Sequence, residues 1–106
     1  MSYVDEKQVA HQALVDHILT GQGKASAELR ANAFGNTNVP LPLRTLVEKV
    51  VAEPAEVTDA DFAAAKRAAF TEDEIFEVVV AAAVGRSDRM YAAGLAALAE
   101  AAGEAG

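Results

Sequence analysis

The sequence predicts an all-α domain, and three observations predict it. Apolar residues recur at the 3.6-residue period through most of the chain. No segment alternates as a half-buried strand does; the short apolar runs all lie inside helical patterns. Ser- and Thr-led capping patterns then punctuate the stretches between helices. At 106 residues the chain is one domain, 1–106, of about five to six helices.

Residues 4–20 read as the first helix, with Val4, His11, Leu14, Val15 and Ile18 on one stripe and Gly21 and Gly23 ending it. Ser26 is placed to cap a shorter helix that ends near Phe34, where Gly35 and Asn36 tolerate positive φ. Residues 36–42 form a loop because Pro40 and Pro42 remove amide donors, and Pro42 suits the first turn of the next helix. Leu43, Leu46, Val47 and Val50 give that helix its inward face, and Pro54 limits it. Glu48 and Lys49 fall on its exposed side.

Thr58-x-x-Asp61 and Thr71-x-x-Glu74 are capping boxes that place helix starts at Asp59 and Glu72. The helix over 59–69 is expected to bury Phe62, Ala65 and Ala69 and to leave Lys66 and Arg67 in water. From Glu72, Ile75, Val78, Val79 and Ala82 form a stripe that Phe76, Val80 and Ala83 widen, a pattern expected of a helix buried between neighbours. Beyond it Tyr91, Gly94, Leu95, Leu98 and Ala102 make a second stripe about 160° away. Either the helix breaks near Gly85–Ser87 or it runs on and meets different neighbours, with a frayed tail at 103–106.

Composition narrows the chemistry. The apolar fraction is 52 % but aromatics are only 6 %, so alanine-rich packing must hold the helices close and the core is thin. A monomer built this way is modestly stable, which leads us to expect self-association. A net charge of −7 with scattered cations disfavours nucleic acid and anionic membrane surfaces. Residues 1–20 have the charges of a soluble helix rather than a signal peptide, and the run 78–84 is too short to span a bilayer. With no cysteine, disulfides, thiolate nucleophiles and Cys-based metal sites are excluded, and a cytoplasmic protein is expected. No phosphate loop, metal-protease or calcium motif is present, so no cofactor or metal is expected.

The candidate site residues are few. His11 and His17 diverge by about 240° on their helix and cannot chelate one metal together. His11 reads as a hydrogen-bonded core or interface histidine and His17 as solvated. Glu72, Asp73 and Glu74 complement a helix N-terminus, and Glu77 is either solvent-facing or the partner of an arginine. Arg86, Asp88, Arg89 and Tyr91 are the polar constellation in an apolar neighbourhood. Burying a guanidinium demands a counter-charge, so they read as an inter-helix or inter-subunit ion network. Otherwise they form an anion pocket, with either arginine as the fork and Tyr91 closing it.

From Leu43 onward the order of signals resembles the C-terminal half of the carboxymuconolactone decarboxylase and alkylhydroperoxidase D superfamily. The matching pieces are Glu48-Lys49, Val57-Thr58-x-x-Asp61, Thr71-x-Asp73-Glu74-Ile75, and Asp88-Arg89 leading to Leu95. Residues 43–102 are family-like and 1–40 diverge. The resemblance implies a helical bundle commonly assembled as trimers or hexamers. The family's Cys-x-x-Cys has no counterpart, so no thiol peroxidase activity is carried over, and Asp88 stands where the family has asparagine. The function expected is a non-redox oligomeric interaction or small-ligand-binding protein, with a small anionic ligand or a partner enzyme as its partner. Its alternative is a cysteine-independent enzyme of the decarboxylase type acting on a small anionic substrate; a third is a purely structural module.

Overall fold

The computed structural model describes residues 3–105, with side chains from Asp5 to Gly103. Among them there is no strand; five helices follow in the order α1 (Tyr3–Thr20), α2 (Ala27–Gly35), α3 (Leu41–Ala52), α4 (Asp59–Arg67) and α5 (Glu72–Ala105), with a 3₁₀ turn at Pro54–Glu56 before α4. The capping grammar sets most boundaries. The Ser26 hydroxyl accepts the Leu29 amide at 3.0 Å, and Asn36 closes α2 in the left-handed region. Thr71 and Glu74 satisfy each other's amides reciprocally, at 2.9 and 3.1 Å.

The core forms where α2, α3 and α4 meet the first half of α5. Leu43, Leu46 and Val47 from α3 pack with Ile75, Val78, Ala81 and Ala82 from α5, and Ala33 and Ala65 fill the close approaches. Alanine at those positions lets backbones come within reach of each other, as the composition implies.

Several expectations need correcting. α4 stops at Arg67, and Ala69 sits exposed at φ 73 in the turn that follows. Phe62 is half-buried and only Ala65 of the expected three is buried. Leu14 is 47 % exposed and Phe76 69 % exposed, so neither is core; Val4 lies outside the residues whose side chains are described. Lys49 is half-buried because its ammonium meets Asp61 at 3.0 Å. α5 does not break at Gly85–Ser87 and does not fray at Gly103; it is helical through Ala105, and Gly106 lies outside the described residues.

That unbroken α5 is about 51 Å long at 1.5 Å per residue. The molecule is accordingly elongated, 56 × 28 × 21 Å, with a radius of gyration of 16.1 Å against about 13 Å for a compact chain of this length. α1 runs antiparallel along α5, His11 lying beside Asp88 and Ile18 beside Glu77 and Val80. Among the described residues, Val15 is the only buried apolar residue of α1, and none of α5 beyond Gly85 is buried. Two helices thus leave the core together as an arm.

Candidate functional site

Three of the predicted site residues meet where α1 crosses the middle of α5. His11 is carried by α1, and its Nε2 donates to Asp88 Oδ1 at 2.7 Å. The Tyr91 ring, one turn further along α5, stacks on the imidazole with centroids 4.5 Å apart and planes 29° apart. Asp88 and Tyr91 can both reach His11 because residues three apart on a helix share a face. The side chains of His11 and Asp88 keep 19 % and 35 % of their surface, so the pair is shielded on one side and open on the other.

The open side is a shallow groove of about 630 Å³ between the two helices. Asp5, Gln8 and Gln12 line it from α1, and Ala92 and Leu95 continue it along α5. Among the described residues its charged groups are Asp5 and Asp88, and no lysine or arginine lines it. Carboxylate, amide and phenol groups over an apolar floor suit a neutral or cationic ligand better than an anion.

The arginines go elsewhere. Arg89 is exposed and its Nη1 donates to the Phe34 carbonyl at 2.7 Å, at the C-terminus of α2. A cation there complements the negative end of that helix. Arg86 is half-buried and is not among the groove's lining residues. The guanidinium that is buried is Arg30, 8 % exposed, which sequence reasoning did not single out. Its Nη1 donates to the Ile18 carbonyl at 3.0 Å, in the last turn of α1, while its Nε is buried without a hydrogen-bond partner. The signal was present, since Arg30 shares the inward face of α2 with Leu29 and Ala33.

Glu77 is neither a solvated carboxylate nor a direct partner of an arginine. It accepts the amides of Ala25 at 2.6 Å and Lys24 at 2.9 Å and so pins the loop between α1 and α2. The Ala25 amide first, then the Lys24 amide and the charges of Arg30 and Lys24, hold its carboxyl below the usual glutamate range against the opposing effect of burial. His17 is exposed. Asp61, held low chiefly by the Thr58 amide and then by Lys49, and Glu72, held low by Lys66, belong to the scaffold.

Among the described residues no group of three or more His, Asp or Glu is placed to hold a metal ion, and no helix is long and apolar enough to cross a membrane. No protein-family profile matches this chain, no curated protein matches its sequence, and no solved structure matches its fold.

Proposed function

We propose that this chain is a non-redox, self-associating helical interaction protein, a cysteine-less relative of the carboxymuconolactone decarboxylase and alkylhydroperoxidase D superfamily that works in the cytoplasm. One observation carries the reading. The chain exposes 6784 Å², against roughly 5,600 Å² expected for a globular monomer of its mass. The surplus of about 1,200 Å² is of the size one partner contributes to a stable interface. Its apolar part lies largely on the arm, where Val9, Leu14, Met90 and Leu98 are 47–67 % exposed. Without cysteine the protein carries no thiol for hydroperoxide reduction.

The test is solution mass by sedimentation between about 1 μM and 1 mM, a range that spans weak to moderate association. A multiple of 11.0 kDa is expected, with a trimer or hexamer as the assembly the family resemblance implies. A constant 11.0 kDa across the range overturns self-association.

The second reading, a small-ligand site or cysteine-independent enzyme, is favoured by the His11–Asp88 pair. A carboxylate that orients an imidazole is one half of general-base catalysis. The anionic substrate of such an enzyme would need a cation that the groove does not supply, so a neutral or amine-bearing ligand is the better fit. Ligand-detected NMR with a small amine panel on wild type and His11→Ala tests it; equal signals from both proteins discard this groove.

A further inference from the structure

One uncharged stripe of α5 is left largely uncovered by the described residues of the chain. Along α5, Phe76, Ala83, Met90 and Ala97 recur every seven residues, and Val80, Ser87, Gly94 and Ala101 follow each of them by four. This is an unbroken alternation of four and three over residues 76–101, the spacing of a coiled-coil seam. All eight are exposed except Val80, which is half-buried; Phe76 and Met90 keep 69 % and 63 % of their surface. α1 runs mainly along a different flank of α5, the one carrying Asp88, Tyr91, Ala92 and Leu95, and reaches the seam only at its last turns, where His17 and Ile18 lie beside Phe76 and Val80. The core takes the flank of Val78, Ala82 and Gly85. Gly94 sets the seam apart from ordinary surface: a Cβ there would meet no atom of the described residues within 4 Å, so none of them requires the glycine. Glycine inside a helix costs about 1 kcal/mol relative to alanine. A close-packing neighbour from outside gives it a use.

We infer that this seam pairs with the same seam of a second copy, antiparallel, about a two-fold axis between Ser87 and Met90. The inference rests on the self-association reading and names its partner face. Volume decides the direction. In the antiparallel register Phe76 lies opposite Ala101 of the second copy, Val80 opposite Ala97, Ala83 opposite Gly94 and Ser87 opposite Met90. Every layer then sets a larger side chain against a smaller one, as interdigitated packing requires. A parallel pair would stack Phe76 on Phe76 and leave a gap between two Gly94 residues. It would also bring the acidic first turns, Glu72, Asp73 and Glu74, side by side and align the two helix dipoles. The surplus surface of about 1,200 Å² per chain exceeds the roughly 800 Å² per partner of a standard interface.

Disulfide trapping and one charged variant test the pairing. Met90→Lys, at an exposed position, keeps the helical spectrum and weakens the dimer about 100-fold, because a charge must be buried in the seam. The chain has no cysteine, so Ala83→Cys and Gly94→Cys can be made singly and mixed. Antiparallel pairing gives a cross-link only in the mixture, since each thiol lies about 16 Å along the helix from its own copy. A cross-link in Ala83→Cys alone, or none in the mixture, overturns the register. A Met90→Lys protein that associates as tightly as wild type overturns the face while leaving self-association standing. A wild-type monomer removes both.

Discussion

Gly85 of α5 packs directly beneath the last turn of α2, so close that a Cβ on it would lie 2.7 Å from the carbonyl carbon of Phe34 and 2.9 Å from its Cα. The same Phe34 carbonyl receives Arg89 Nη1 from one turn further along α5. Gly85 and Phe34 therefore fix the separation of the two helices at backbone contact. Gly85→Ala pits a helix-propensity gain of about 1 kcal/mol against overpacking of about 1–3 kcal/mol with rigid backbone as the obstacle. We expect net destabilisation, read as a lower urea midpoint. Gly94→Ala, with open space around it, raises the stability of the dilute monomer by up to about 1 kcal/mol.

The turn after α4 gives the opposite case. Ala69 holds φ 73 while the Phe70 amide reaches back to the Ala65 carbonyl at 3.3 Å, a Schellman-type closure. A left-handed alanine costs about 1 kcal/mol or more relative to glycine. Ala69→Gly is expected to raise stability by about 0.5–1 kcal/mol, part of the gain being lost to the freer unfolded chain. An unchanged or lower midpoint would show that the Ala69 methyl packs more tightly than its exposure indicates.

The contrast between these positions explains what the sequence disclosed. Local chemistry was legible: Ser26, Thr58 and Thr71 each stand at a helix start, and Leu43, Leu46, Val47 and Val50 are the buried face of α3. Ala69 was misplaced because alanine carries no sign that it must take positive φ. The apolar width of α5 was read as burial on most sides, yet Phe76 and Met90 are open. Periodicity marks a face without saying whether a neighbour from the same chain will cover it. The strict four-three spacing from Phe76 to Ala101 was visible as a pattern, but it blended into the core stripe until α1 and α3 were seen on other flanks. At the site, His11 was recognised from its stripe, whereas its bond to Asp88, 77 residues away, is a tertiary fact that local spacing does not contain.

Glu77 makes stability depend on pH. Its carboxyl lies below the ordinary range in the folded chain, so the unfolded state binds the proton more readily. The stabilisation is complete above the unfolded value of about 4.3 and is lost as pH falls through the folded value. Glu77→Ala leaves the Lys24 and Ala25 amides without their acceptor and removes a counter-charge of Arg30, at a cost of about 2 kcal/mol near pH 7. The decisive measurement is the difference between wild type and Glu77→Gln across pH 7 to 3. It should shrink below about pH 4.3, and a difference constant with pH would assign the effect to packing alone.

The His11–Asp88 bond is a polar tie between the outer part of α1 and α5, where no described residue is buried except Val15. A double-mutant cycle with His11→Ala and Asp88→Ala should return a coupling of about 0.5–1.5 kcal/mol, the usual net worth of such a bond. The more telling readout is spatial. The core of Leu43, Leu46, Val47 and Val78 does not touch this pair, so hydrogen exchange should quicken in α1 before Val15 and in α5 after Asp88. Amides of α3 should keep their wild-type protection. Uniform loss of protection across all helices would instead mean that arm and core open as one cooperative unit, and that this pair supports the whole fold rather than one end of it.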